Sequence, residues 1–115
     1  PLALEEAQAV LKEAIASNPH NPLPLWAMAS VLIQQGNARE ALEQAQMAFE
    51  LNPDNPKAHT NRLLAAVFLK DQTLLSSLMQ ESLERFPNAT QDFQMVASLD
   101  TASTNLAALD LFYSF

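Results

Sequence analysis

Apolar residues return at steps of three and four along most of this chain. In 3–17, Ala3, Ala7, Val10, Leu11, Ala14 and Ile15 share one face, while Glu5, Glu6, Lys12 and Glu13 mostly fall off it. That pattern predicts an amphipathic helix. A second helix is predicted over 22–35, with Pro22 and Pro24 near its start and Gln34-Gln35-Gly36 at its end. Gly36 sits where a tight helix-to-helix turn needs a left-handed residue. Asn37 is placed to cap the next helix, with Glu40 three residues on as its capping-box partner. That helix turns Ala41, Leu42, Ala45, Ala48 and Phe49 inward and ends at Leu51-Asn52-Pro53. Asn55 and Pro56 then open a helix over 57–69, ending near Lys70-Asp71. Asp71 or Thr73 starts another, whose apolar face is Leu74, Leu75, Leu78, Met79 and Leu83, and Phe86-Pro87-Asn88 closes it. Two short helices, roughly 90–99 and 104–114, complete the prediction, with Thr101, Ser103 and Thr104 in the break between them.

The prolines reveal a period. Pro19 and Pro53 are 34 residues apart, and Pro87 follows Pro53 by the same 34. Equal offsets upstream select Ala14, Ala48 and Ser82, all small, and further upstream Ala7, Ala41 and Leu75. The phrase NPHNP at 18–22 returns as NPDNP at 52–56. One helical hairpin therefore recurs, and no hairpin hides its apolar face without a neighbour.

Composition narrows the function classes. Hydrophobic residues make up 49% of the 115 residues and charged residues 17%, a globular balance. A single Gly argues against β-hairpins and against phosphate-cradling loops, both of which need positive φ. Thirteen acids against six bases leave a net charge of −7, which disfavours nucleic acid and an anionic membrane surface. A basic or mainly apolar protein segment suits that field better. With no Cys, disulfides, thiol catalysis and thiolate metal sites are excluded. No apolar run reaches the length of a membrane span. The chain starts at Pro1, which reads as a piece or a processed product of a longer protein, and both cytoplasm and periplasm stay open as compartments.

Hairpins of 34 residues, with small residues at fixed slots in the second helix and a closing proline, resemble the tetratricopeptide repeat. The fullest copy is 22–55, with an aromatic near its start, Ala29 at the helix-contact slot, the turn Gly36, Ala41 and Ala48 where the helices pack closest, and Pro53 at its end. Residues 1–21 resemble the second helix of a preceding copy, 56–89 a degenerate third copy, and 90–115 a worn repeat or capping element. The departures are Trp26, one place after the usual aromatic slot held here by Leu25; His59 and Arg62 at positions that are usually apolar; and Leu75 and Ser82 in place of paired alanines. The resemblance implies an all-α fold: a short right-handed superhelical solenoid of antiparallel helix-turn-helix repeats.

It also implies a concave groove, lined by the first helix of each hairpin, that takes a peptide or helix from a partner protein. The groove slots fall at Leu23, Trp26, Ser30, Ile33 and Gln34, and in the next unit at Lys57, Thr60, Asn61, Leu64, Val67 and Phe68. Trp26 has two readings, an interface anchor or a residue packed against the preceding helix beside Val10 or Ala14; packing is the commoner fate of a large aromatic. Some family members clamp a C-terminal carboxylate with Lys and Asn; Lys57 and Asn61 match that pattern in part, whereas Trp26 and Ser30 do not.

Catalysis has little in its favour. His20 lies in a loop and His59 on a separate helix, with no HExxH-type pairing. Glu5, Glu6, Glu81 and Glu84 read as solvated acids, and neither a cofactor nor a metal site is expected. The stretch 105–115 is too apolar for a solvating cap and reads as a surface for folding back or for self-association. The expected function is a protein-binding scaffold or adaptor; the alternative is an oligomerisation or assembly domain attached to an enzyme or a cell-envelope protein.

Overall fold

In the computed structural model, residues 2–99 are described, apart from the side chain of Leu2. Six α-helices follow one another: α1 (Leu2–Ser17), α2 (Pro22–Gln34), α3 (Ala38–Leu51), α4 (Pro56–Leu69), α5 (Gln72–Arg85) and α6 (Thr90–Ala97), with a 3-10 turn, Pro87–Ala89, before the last. No strand occurs among the described residues. Consecutive helices pack against each other, and α4 also lies beside α2 and α6, so the first helices of successive hairpins form one row. The predicted helix over 104–114 lies outside the described residues.

The helix starts follow from local chemistry. Asn21 and Asn55 each accept a hydrogen bond from the backbone N–H two residues on, of Leu23 at 3.1 Å and Lys57 at 3.0 Å. Pro22 and Pro56 then occupy first-turn positions, where a missing N–H costs nothing. Asp71 caps α5 by accepting from the Leu74 N–H at 3.0 Å. Asn37 corrects the expectation: its side chain makes no capping bond to α3, so no capping box with Glu40 closes there. Its backbone carbonyl instead accepts the Ala41 N–H at 3.0 Å.

The turns keep the period even where the residue changes. Gly36 ends the α2 hairpin turn at φ +85°, and its counterpart 34 residues on is Lys70, at φ 62°. A lysine therefore adopts a left-handed conformation that usually falls to glycine.

The core runs along the same repeat. Ala41, Ala45 and Ala48 of α3 are fully buried, which lets α2, α3 and α4 approach closely. The equivalent slots on α5 hold Leu75 and Ser82, both buried. The Leu25 slot repeats as His59 and then as Phe93, and all three are buried. The Met28 slot repeats as Arg62 and Val96, also buried. Phe93 and Val96 thus make α6 the first helix of a further copy.

Candidate functional site

Directions around α2 and α4 define two faces. Met28 and Leu32 line the cleft that α2 forms with α1 and α3, beside Ile15, Gln44 and Met47. At 100° per residue, Ser30 points about 160° away from each of them. On α4, His59 and Arg62 reach back to α3 and α5, and Leu64 points about 140–160° away from that pair. Ser30 and Leu64 therefore mark a front face on the row of first helices. None of α1, α3 and α5 lies on that side.

This front face is closed. Ser30 is 2% exposed, and Asn61 and Leu64 are 0%. Trp26 and Ile33 are buried with them, and Val67 is buried towards the side. Gln34, Lys57, Thr60 and Phe68 are half-buried around this strip, and Leu23 stands out at 60% exposure. The structure thus brings the expected groove residues together, but the half-exposed indole of an interface anchor is not there: Trp26 is 3% exposed. Val10 gives that indole little cover, since it is itself 64% exposed.

The polar groups of this face are unevenly served. Gln34 Nε2 donates to Ser30 Oγ at 3.2 Å, and Thr60 Oγ1 donates to the Pro56 carbonyl at 3.2 Å. Ser30, Gln34 and Lys57 all take part in polar interactions. Trp26 Nε1 and both amide atoms of Asn61 are buried without a hydrogen-bond partner. Each such atom costs about 1–3 kcal/mol when left unmet. Three unmet atoms along one strip form a polar demand that no described residue answers.

The back of α4 holds a second polar group of residues that the sequence reading did not assemble. His59 Nε2 lies 3.0 Å from the Pro53 carbonyl, and Nδ1 lies 3.0 Å from Ser82 Oγ. A carbonyl only accepts, so Nε2 carries the proton, and the neutral ring accepts at Nδ1 from the Ser82 hydroxyl. Burial pushes the His59 pKa below 6.5 and Arg62 adds to that, against the partial opposition of the Pro53 carbonyl and Glu81. Phe49 and Phe86 meet the imidazole edge-on, each at 5.1 Å between ring centres. Arg62 lies 3.6 Å above the Phe49 ring and donates to Glu81 at 2.8 Å and Gln46 at 3.2 Å. Glu81 is therefore held in an ion pair and is not simply a solvated acid. Arg85 and Asp54 pair nearby.

A Ser–His contact invites comparison with a nucleophile and its base. Here both side chains are 0% exposed and walled by three phenylalanines, so no substrate reaches the hydroxyl. The signal available in the sequence was a paired departure: His59 falls in the Leu25 slot and Ser82 in the Ala48 slot, on helices that pack together. No cluster of three or more His, Cys, Asp or Glu residues suits a metal ion among the described residues. Among the same residues, no helix is long and apolar enough to cross a membrane.

A family model described as tetratricopeptide repeat matches residues 3–67, more than half of the chain. The chain belongs to the tetratricopeptide repeat family. The match spans α1 to most of α4, and the periodic slots carry the same hairpin through α5 and α6. Tetratricopeptide repeats are generally non-catalytic units that mediate protein–protein interaction. No curated protein matches the chain in sequence.

Proposed function

We propose that this tetratricopeptide repeat domain is a binding scaffold, without catalysis of its own, whose front face holds one apolar segment of a partner protein. The observation that carries the reading is Asn61: a buried amide, unpaired at both Oδ1 and Nδ2, beside Leu64 on the front of α4. An amide with one free acceptor and free donors suits the backbone of a bound segment, which offers both an N–H and a C=O. Leu64, Ile33 and Trp26 supply the apolar surface next to it.

Charge refines the partner class. Neither α2 nor α4 contains an acid, and the acids of the repeat units sit largely on α1, α3 and α5. The net negative field therefore attracts a basic segment at long range, whereas the front itself selects for apolar side chains.

The test is peptide-array binding to the full chain, comparing the parent with Asn61→Leu, Trp26→Ala and Thr60→Arg. Binding weakened by all three supports the front face. Array binding indifferent to all three places the contact elsewhere and defeats the reading. The assembly alternative predicts no peptide selectivity, together with an association that vanishes when 105–115 is deleted.

A further inference from the structure

The front face raises a question of cover. Leu64 is fully buried although it points away from α3 and α5, and Ser30 is nearly so although it points away from α1 and α3. Lateral helices screen only the flanks of such a row. A leucine at the centre of a helix front reaches zero exposure when something lies across it. Among the described helices, none lies across both α2 and α4 on that side.

We propose that the segment 100–115 of this same chain is that cover: it lies across the front of α4 and α2 and occupies the groove in cis. Length permits it. Interaxial spacings of about 8–10 Å put α2 roughly 16–20 Å from α6 across α4. Sixteen residues following α6 span about 24 Å as a helix and about 50 Å extended. Chemistry favours it. Leu106, Leu109, Leu111, Phe112 and Phe115 offer side chains for the apolar strip, and the segment has two acids, Asp100 and Asp110, and no base. The front of α2 and α4 offers the opposite, with Lys57 and no acid. The Ser, Thr, Asn and Tyr side chains of the segment, and its backbone, can also meet the Asn61 amide and the Trp26 indole. This inference rests on the binding reading above and adds regulation to it: an outside peptide must displace a tethered one held at an effective concentration in the millimolar range.

The absence of cysteine makes the test direct. Thr60→Cys at the front edge is combined in turn with Leu106→Cys, Leu109→Cys and Phe112→Cys in the full chain, under mild oxidation. The expected result is an intramolecular disulfide with at least one of the three and a monomer on a non-reducing gel. Disulfide-linked dimers in its place would assign the cover to a second copy, and no cross-link with any of them would overturn the proposal. A second measurement uses Trp26, the only tryptophan. In Leu109→Asp/Phe112→Asp with helicity retained, its emission shifts to the red, and a peptide of residues 100–115 added in trans reverses the shift. Unchanged emission in that variant overturns the proposal too. An outside peptide binds the opened variant about tenfold tighter if the free groove is populated at about one part in ten. Cross-linking without any peptide binding to the opened variant would sink the binding reading alone. Peptide binding at the front without cross-linking would sink the cis cover alone.

Discussion

The His59–Ser82 pair gives the sharpest energetic test of this fold. Ser82→Ala restores the small residue that the same slot holds in α3, yet it should destabilise the chain. The Ser82 hydroxyl donates to His59 Nδ1 at 3.0 Å in a site closed to water. Its loss leaves a buried ring nitrogen unpaired, at about 1–2 kcal/mol. For a domain of this size that corresponds to a fall of roughly 4–8 °C in Tm per kcal/mol. Adding His59→Leu changes the sign. The double variant rebuilds the Leu-and-Ala pairing of the α2–α3 hairpin, and the half-buried Pro53 carbonyl can turn to water. The double variant should recover most of the loss, with a coupling of about 1 kcal/mol in a double-mutant cycle. Urea denaturation of the parent, both single variants and the double variant measures all four corners. A neutral Ser82→Ala, or strictly additive changes, would refute the pairing of the two residues.

Two further predictions follow from the same structure. His59 is buried neutral with a pKa below its ordinary 6.5, so the unfolded chain takes up its proton first as pH falls. Its contribution to stability is complete above about pH 6.5 and declines from there towards the lowered folded value; urea midpoints at pH 7.5 and 5.5 should show the fall, and His59→Leu should flatten it. The two left-handed turns should respond oppositely: Lys70→Gly relieves a non-glycine φ of 62° and stabilises by about 0.5–1 kcal/mol. Gly36→Ala meets no atom within 4 Å but must hold φ +85°, and it destabilises by about 1 kcal/mol in thermal melts.

What the sequence made legible was periodic. Asn-Pro pairs fix helix starts through caps and first turns, and alanines at 34-residue spacing fix where helices meet, so five hairpin helices and the row of first helices were readable in advance. Front residues such as Trp26, Ser30, Asn61 and Leu64 were also readable as a group, because spacing on a helix sets direction. Their burial was not readable, since it depends on what lies across the row, and spacing within one element carries no information on that. The Lys70 turn was missed because a left-handed residue was sought as glycine, while the backbone geometry of the repeat imposes it on whatever residue stands there. His59 and Ser82 looked like separate lapses from the pattern. Each makes sense only with the other, across 23 residues and two helices.

That buried imidazole has a bearing on how the chain avoids misassembly. Identical hairpins invite slippage, in which α4 takes α3 as its hairpin partner, or a hairpin of one molecule exchanges into another. In any such arrangement His59 would face Ala48, with no hydroxyl to satisfy it, and Ser82 would face the hydrocarbon of Leu25. A polar lock in one layer of an otherwise oily stack thus marks which helix belongs beside which, and penalises every order of stacking but one.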